Sequence, residues 1–94
     1  MDILVSELLP QVKSYLGLEE DDFSHDQNLL DYIMSCIEDM KSSGIAEEVI
    51  REAKDARVKD LIKLYCRTMF DNVELPPIYH MNLQKLALSY PAVK

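Results

Sequence analysis

Apolar residues recur along most of this chain at spacings of three and four, the repeat of an α-helix with one buried face. The clearest stretch follows Ser24: Leu29, Tyr32, Ile33, Cys36, Ile37 and Met40 fall on one stripe, while Asp31, Ser35, Glu38, Asp39 and Ser42 fall opposite. Ser24 followed three residues later by Gln27 has the form of a capping box, which predicts that this helix opens at Ser24. The acids at 19–22 then complement the positive end of its dipole. Gly44 is the expected stop, with Ile45 as the apolar residue that packs back on the helix end.

An earlier helix is predicted from about Ser6, or from Pro10 if it starts late, to Leu16, with Gly17 as its stop and Leu8, Val12, Tyr15 and Leu16 as its buried face. Pro10 leaves its start open, because beyond a first turn proline lacks a backbone donor and disfavours helical geometry at Leu9. Between Ala46 and Phe70 the helical pattern changes phase. Ile45, Val49, Ile50 and Ala53 lie on one track and Val58, Leu61, Ile62, Tyr65 and Met69 on another. The expected break is near Lys54 and Asp55, with Asp55 capping a second piece that runs to about Asp71. Asn72 and the pair Pro76 and Pro77 stop it. A last helix, about Ile78 to Tyr90, buries Tyr79, Leu83, Leu86, Ala87 and Tyr90, and Pro91 leaves 91–94 as a mobile tail. With no internal repeat and no linker, the reading is all-α: a single domain over 1–94 built as a small four- or five-helix bundle.

Composition agrees. Apolar residues make up 48% of 94 residues, enough for a packed core, whereas two glycines and four prolines are too few for the turns of a sandwich or barrel. A domain this small hides only about 60 to 65% of the surface its unfolded chain exposes, so partner surfaces weigh heavily in its stability. Charge adds more. The net charge of −7 is unevenly spread: residues 1–48 carry 12 acids and 2 bases, residues 49–94 carry 5 acids and 8 bases. Such a chain is repelled by bare phosphate backbones and by anionic lipid, which argues against tight nucleic-acid or membrane binding. No stretch approaches a membrane span and the start lacks a signal peptide, so a soluble protein made in the cytoplasm is expected.

Candidate chemistry is sparse. Cys36 and Cys66 fall among apolar helical neighbours, as buried reduced thiols do. His25 and His80 lack ligand spacing, and the run Glu19, Glu20, Asp21, Asp22 and Asp26 lacks the alternating oxygens and central glycine of a calcium loop. No nucleophile, base and oxyanion donor assemble, so no enzyme, cofactor or metal is expected. The basic residues Lys59, Lys63 and Arg67 recur at four-residue spacing and form a positive helix edge. A chain with that edge and an acidic second helix bearing Asp31, Glu38 and Asp39 can pair head to tail with its own copy, a heterologous contact that closes into a ring. Leu64, Met81 and Leu88 lie off the buried stripes and complete the candidate subunit interface as exposed apolar positions.

The order of these features resembles the small head-tail connector (adaptor) proteins of tailed bacteriophages. The matching residues are Val12-Lys13-Ser14-Tyr15-Leu16-Gly17 before an acidic loop, then Asp26, Leu29-Leu30 and Ile33. Val58-Lys59-Asp60-Leu61-Ile62 runs on to Phe70-Asp71-Asn72, followed by a proline turn and the short helix bearing Leu83 to Leu88. Two departures are Val73, where the family often has a basic residue, and Pro10 inside the first helix. The resemblance implies a virion protein at the head-tail junction: an oligomeric ring between the portal and a tail-completion or stopper protein, with DNA passing transiently through the lumen. An alternative is a small helical regulator or adaptor binding one protein partner, or weakly DNA, with the short helices around Lys54 and Asp55 mimicking a helix-turn-helix. A salt series of DNA binding tests the regulator that reads DNA, since backbone contacts by several lysines weaken steeply with salt and flat, negligible binding dismisses it.

Overall fold

The computed structural model describes residues 3–52 and 55–90. Five helices follow one another: α1 (Ile3–Leu16), α2 (Asp26–Ser42), α3 (Glu47–Glu52), α4 (Ala56–Phe70) and α5 (Pro77–Ser89), with no strand among the described residues. The all-helical bundle read from the pattern is the fold. Ala53, Lys54 and the expected tail at 91–94 lie outside the described residues.

Three helices stop by the same device. After α1 the amide of Gly17 donates to the Ser14 carbonyl at 3.1 Å and that of Leu18 to Lys13 at 2.9 Å. After α2, Gly44 and Ile45 donate to Lys41 and Met40 at 3.0 and 3.1 Å. After α4, Asn72 and Val73 donate to Met69 and Thr68, both at 3.2 Å. Each pair of bonds satisfies carbonyls orphaned at a helix end and requires positive φ at its first residue. Glycine meets that need at 17 and 44, whereas Asn72 holds φ 56° as the one non-glycine residue to do so among the described residues. Asparagine tolerates this region because its short polar side chain can hydrogen-bond locally. Asn72→Ala is therefore expected to lower stability by about 1 kcal/mol, and Asn72→Gly to match or exceed the native chain in urea unfolding.

Helix starts depart further from expectation. The predicted capping box does not form: Ser24 gives both its hydroxyl and its amide to the Asp22 carboxylate. The aspartate two residues back out-competes the helix for these donors. Consequently α2 opens at Asp26 with His25 before it and no side-chain cap, and the Gln27 amide turns to Asp31 at 3.1 Å. Asp55 does cap α4 as predicted, accepting from the Arg57 amide at 3.0 Å. The first helix begins at Ile3, ahead of both predicted starts, and carries Pro10 within it. Pro10 and Ser6, whose carbonyl would have bonded the missing amide, are both exposed, so water can take the place of that bond.

The central pair is α2 against α4. Helix α1 packs across both, α5 packs on α4, and the six-residue α3 packs on α2. Their shared core is Leu4, Val5, Leu8 and Val12 from α1, Leu29, Ile33, Cys36, Ile37 and Met40 from α2, Val58, Leu61, Ile62 and Cys66 from α4, and Tyr79, Leu83 and Leu86 from α5, with Ile45 and Ile50 closing one end. Two tyrosines expected in this core are outside it. Tyr15 is 47% exposed, because in the last turn of α1 it opens onto a gap between α4 and α5 rather than onto a facing helix. Tyr90, past the end of α5, donates its hydroxyl to Asp55 Oδ2 at 3.0 Å instead of entering the core.

Candidate functional site

Residues 17–25, between α1 and α2, form an acidic loop organised by one lysine. The side chain of Lys13 is only 5% exposed; its Nζ donates to the Glu20 carbonyl at 3.0 Å and lies 3.0 Å from Asp26 Oδ1. The Phe23 ring stands 4.9 Å from the same nitrogen. An ammonium taken out of water needs such partners, or the desolvation cost goes uncompensated. Drawing the Glu20 carbonyl inward leaves the side chains of Glu19, Glu20 and Asp21 exposed to solvent. Asp22 is occupied by Ser24, whose hydroxyl and amide hold its carboxyl below the usual carboxylate range. His25 sets its ring edge-on to Phe70, 5.0 Å between centroids, which ties the loop to the end of α4.

The opposite charge gathers in a cleft of about 400 Å³ where Tyr15 meets α4 and α5. Arg57, Lys63 and Lys85 line it beside Leu64 and Asn82. Arg57 is held in place: Asp55 accepts from its Nε at 3.0 Å and its Nη2 at 2.6 Å, and its Nη1 donates to Ser89 Oγ at 3.0 Å. The same guanidinium and the capping amide keep the Asp55 carboxyl far below its ordinary value. Lys63 and Lys85 take part in no ion pair among the described residues.

The expected positive edge is thus divided. Lys63 faces the cleft, Lys59 is half-buried, and Arg67 pairs with Asp71 at 3.1 Å. On α2, Asp31 and Glu38 are exposed as expected, with Gln27 and Lys41 as their respective neighbours. Asp39 is not part of a solvent-facing row: half-buried, it accepts the Tyr79 hydroxyl at 2.8 Å. Leu64, expected to be exposed, is partly buried and packs against the core. Met81 and Leu88 are exposed on α5. With Ile78 and Lys85 they share one helix face, turned about 80° or more from Tyr79, Leu83 and Leu86.

Beneath that face lies a buried polar knot. The hydroxyl of Tyr79, itself fully buried, touches Cys36 Sγ at 3.5 Å as well as Asp39, and the Tyr65 ring is 5.7 Å from its own. Both cysteines are buried and free. Burial pushes each thiol up to about 12, so neither forms the thiolate that attacks electrophiles at neutral pH. A disulfide-exchange reagent at pH 8 is therefore expected to leave the native protein unlabelled and to titrate two thiols once it is unfolded in urea; rapid labelling of the folded chain would contradict this packing.

Among the described residues no group of three or more His, Cys, Asp and Glu side chains is placed to hold a metal, and no helix is long and apolar enough to cross a membrane. No curated protein and no solved structure matches the chain. One family does: the sequence profile described as phage connector protein matches residues 8–90, from the middle of α1 through the end of α5. That span includes the lysine-held loop, the left-handed stop at Asn72 and the cleft. The chain belongs to the phage connector protein family, a structural family of phage particles.

Proposed function

We propose that this protein is the subunit of a head-tail connector ring, docked on the portal and followed by a tail-completion or stopper protein, with the genome passing through its lumen. The observation that carries this reading is the connector-family match across nearly the whole chain. Charge supports it in two ways. Opposite charges on different parts of one subunit allow copies to pair head to tail, the contact type that closes rings. The excess of acid, −7 over the chain, suits a wall past which DNA must slide without sticking. Copies meet most readily on the portal, which presents them at high local concentration and offsets the entropy lost on association. Electron microscopy of the protein mixed with the portal of its own phage tests this directly. Added ring-shaped density at the portal is the expected result, and a bare portal at saturating protein would overturn the proposal.

A further inference from the structure

Within the proposed ring, and resting on that reading, we infer that the cleft of each subunit receives the acidic loop of the next: Glu19, Glu20 and Asp21 of one copy seat against Arg57, Lys63 and Lys85 of its neighbour. A head-to-tail contact needs two different complementary patches on one chain. The acids of α2 are poor candidates for one of them, since Asp39 is committed to Tyr79, Asp31 takes the Gln27 amide and Glu38 has Lys41 beside it. By contrast, no side-chain bond engages Glu19, Glu20 or Asp21 among the described residues. All three are exposed, and Lys13 fixes the backbone that presents them. The loop is thus ordered before it binds, which reduces the conformational freedom lost on association.

The receiving side matches in charge and in readiness. Three cations line the cleft against one acid, Asp60, and Lys63 and Lys85 have no ionic partner of their own there. Arg57 is held by Asp55 and Ser89, and because Asp55 offsets its charge, the two lysines without ionic partners supply the positive charge left for an incoming loop. A cleft of about 400 Å³ accommodates a few side chains, the size of a loop tip and too small for a helix. Half-exposed Tyr15 and partly buried Leu64 supply apolar surface beside the charges, where the stems of glutamates can lie.

Paired charge reversals test this, with ring density on the portal as the readout. The cleft variant Lys63→Glu/Lys85→Glu and the loop variant Glu19→Lys/Glu20→Lys/Asp21→Lys should each keep the helical circular dichroism of the native chain. Each alone is expected to weaken ring formation on the portal at least about tenfold, because like charges then face each other. An equimolar mixture of the two restores rings, since every cleft again meets a loop of opposite sign in alternation. One chain carrying all five reversals also assembles with itself, which shows that the variants fold. If the native protein forms rings and the separate variants form them equally well, the cleft and loop are not the contact and the ring reading stands. Loss in both variants without rescue in the mixture or the five-fold chain overturns the loop as occupant and points to an acidic segment of the portal. A native protein that never adds density to the portal overturns both readings together.

Discussion

Tyr79→Ala is expected to remove about 4 kcal/mol of folding stability, the range seen when a large aromatic side chain is cut out of a packed core. Tyr79 is fully buried, the largest of the side chains that are, and it links α5 to α2 through Asp39 while its ring lies beside Tyr65 of α4. Its loss opens a void at the junction of three helices. Domains of this size have only about 5–15 kcal/mol in total, so the melting temperature should fall by about 20 °C. Tyr79→Phe separates packing from hydrogen bonding. It keeps the ring and deletes the hydroxyl, costing about 1 kcal/mol because half-buried Asp39 can turn to water. Urea unfolding followed by circular dichroism measures both; an alanine variant within 1 kcal/mol of the native chain would mean that this junction is not the centre of the core.

The second large effect belongs to Lys13. Lys13→Met is expected to destabilise the protein by about 3 kcal/mol, since it strands the carboxylate of Asp26 and the Glu20 carbonyl in a partly enclosed site. Methionine keeps the volume and the apolar stem, so the loss reports on the charge. Adding Asp26→Leu should recover most of it, leaving a deficit of about 1 kcal/mol, because a buried ion pair replaced as a whole by apolar groups is often close to neutral. The double variant will keep its helices but not its loop: a protease cleaving after Phe23 should cut it faster than the native chain. Equal cleavage rates would show that Lys13 does not hold residues 17–25 in place.

How much of this was legible follows from what each signal reports. Periodicity gives an angle around a helix, and where a neighbour covers that angle, as over Leu29, Ile33, Cys36 and Met40, the buried face is read correctly. It cannot say whether anything lies opposite. Tyr15 has the right angle and opens onto the cleft, while Lys13, about 100° from Val12 and off the stripe, is buried by the loop folding over it. Local motifs compete in a similar way: the capping box at Ser24 lost to the nearer carboxylate of Asp22, whereas Asp55 had no rival and capped α4. The cleft was visible only in part, through Lys63 and Leu64. Arg57 and Lys85 joined it because the turn after Asn72 brings α5 back along α4, a relation between distant segments that spacing along the sequence does not encode.

The short helix α3 has a consequence of its own. Six residues make too few backbone bonds to sustain a helix in water, and this one is held against α2 chiefly through Ile50. Its amide protons should therefore exchange with solvent by a local opening that leaves the remaining helices closed, orders of magnitude sooner than those at the centres of α2 and α4, which wait for the whole molecule to unfold.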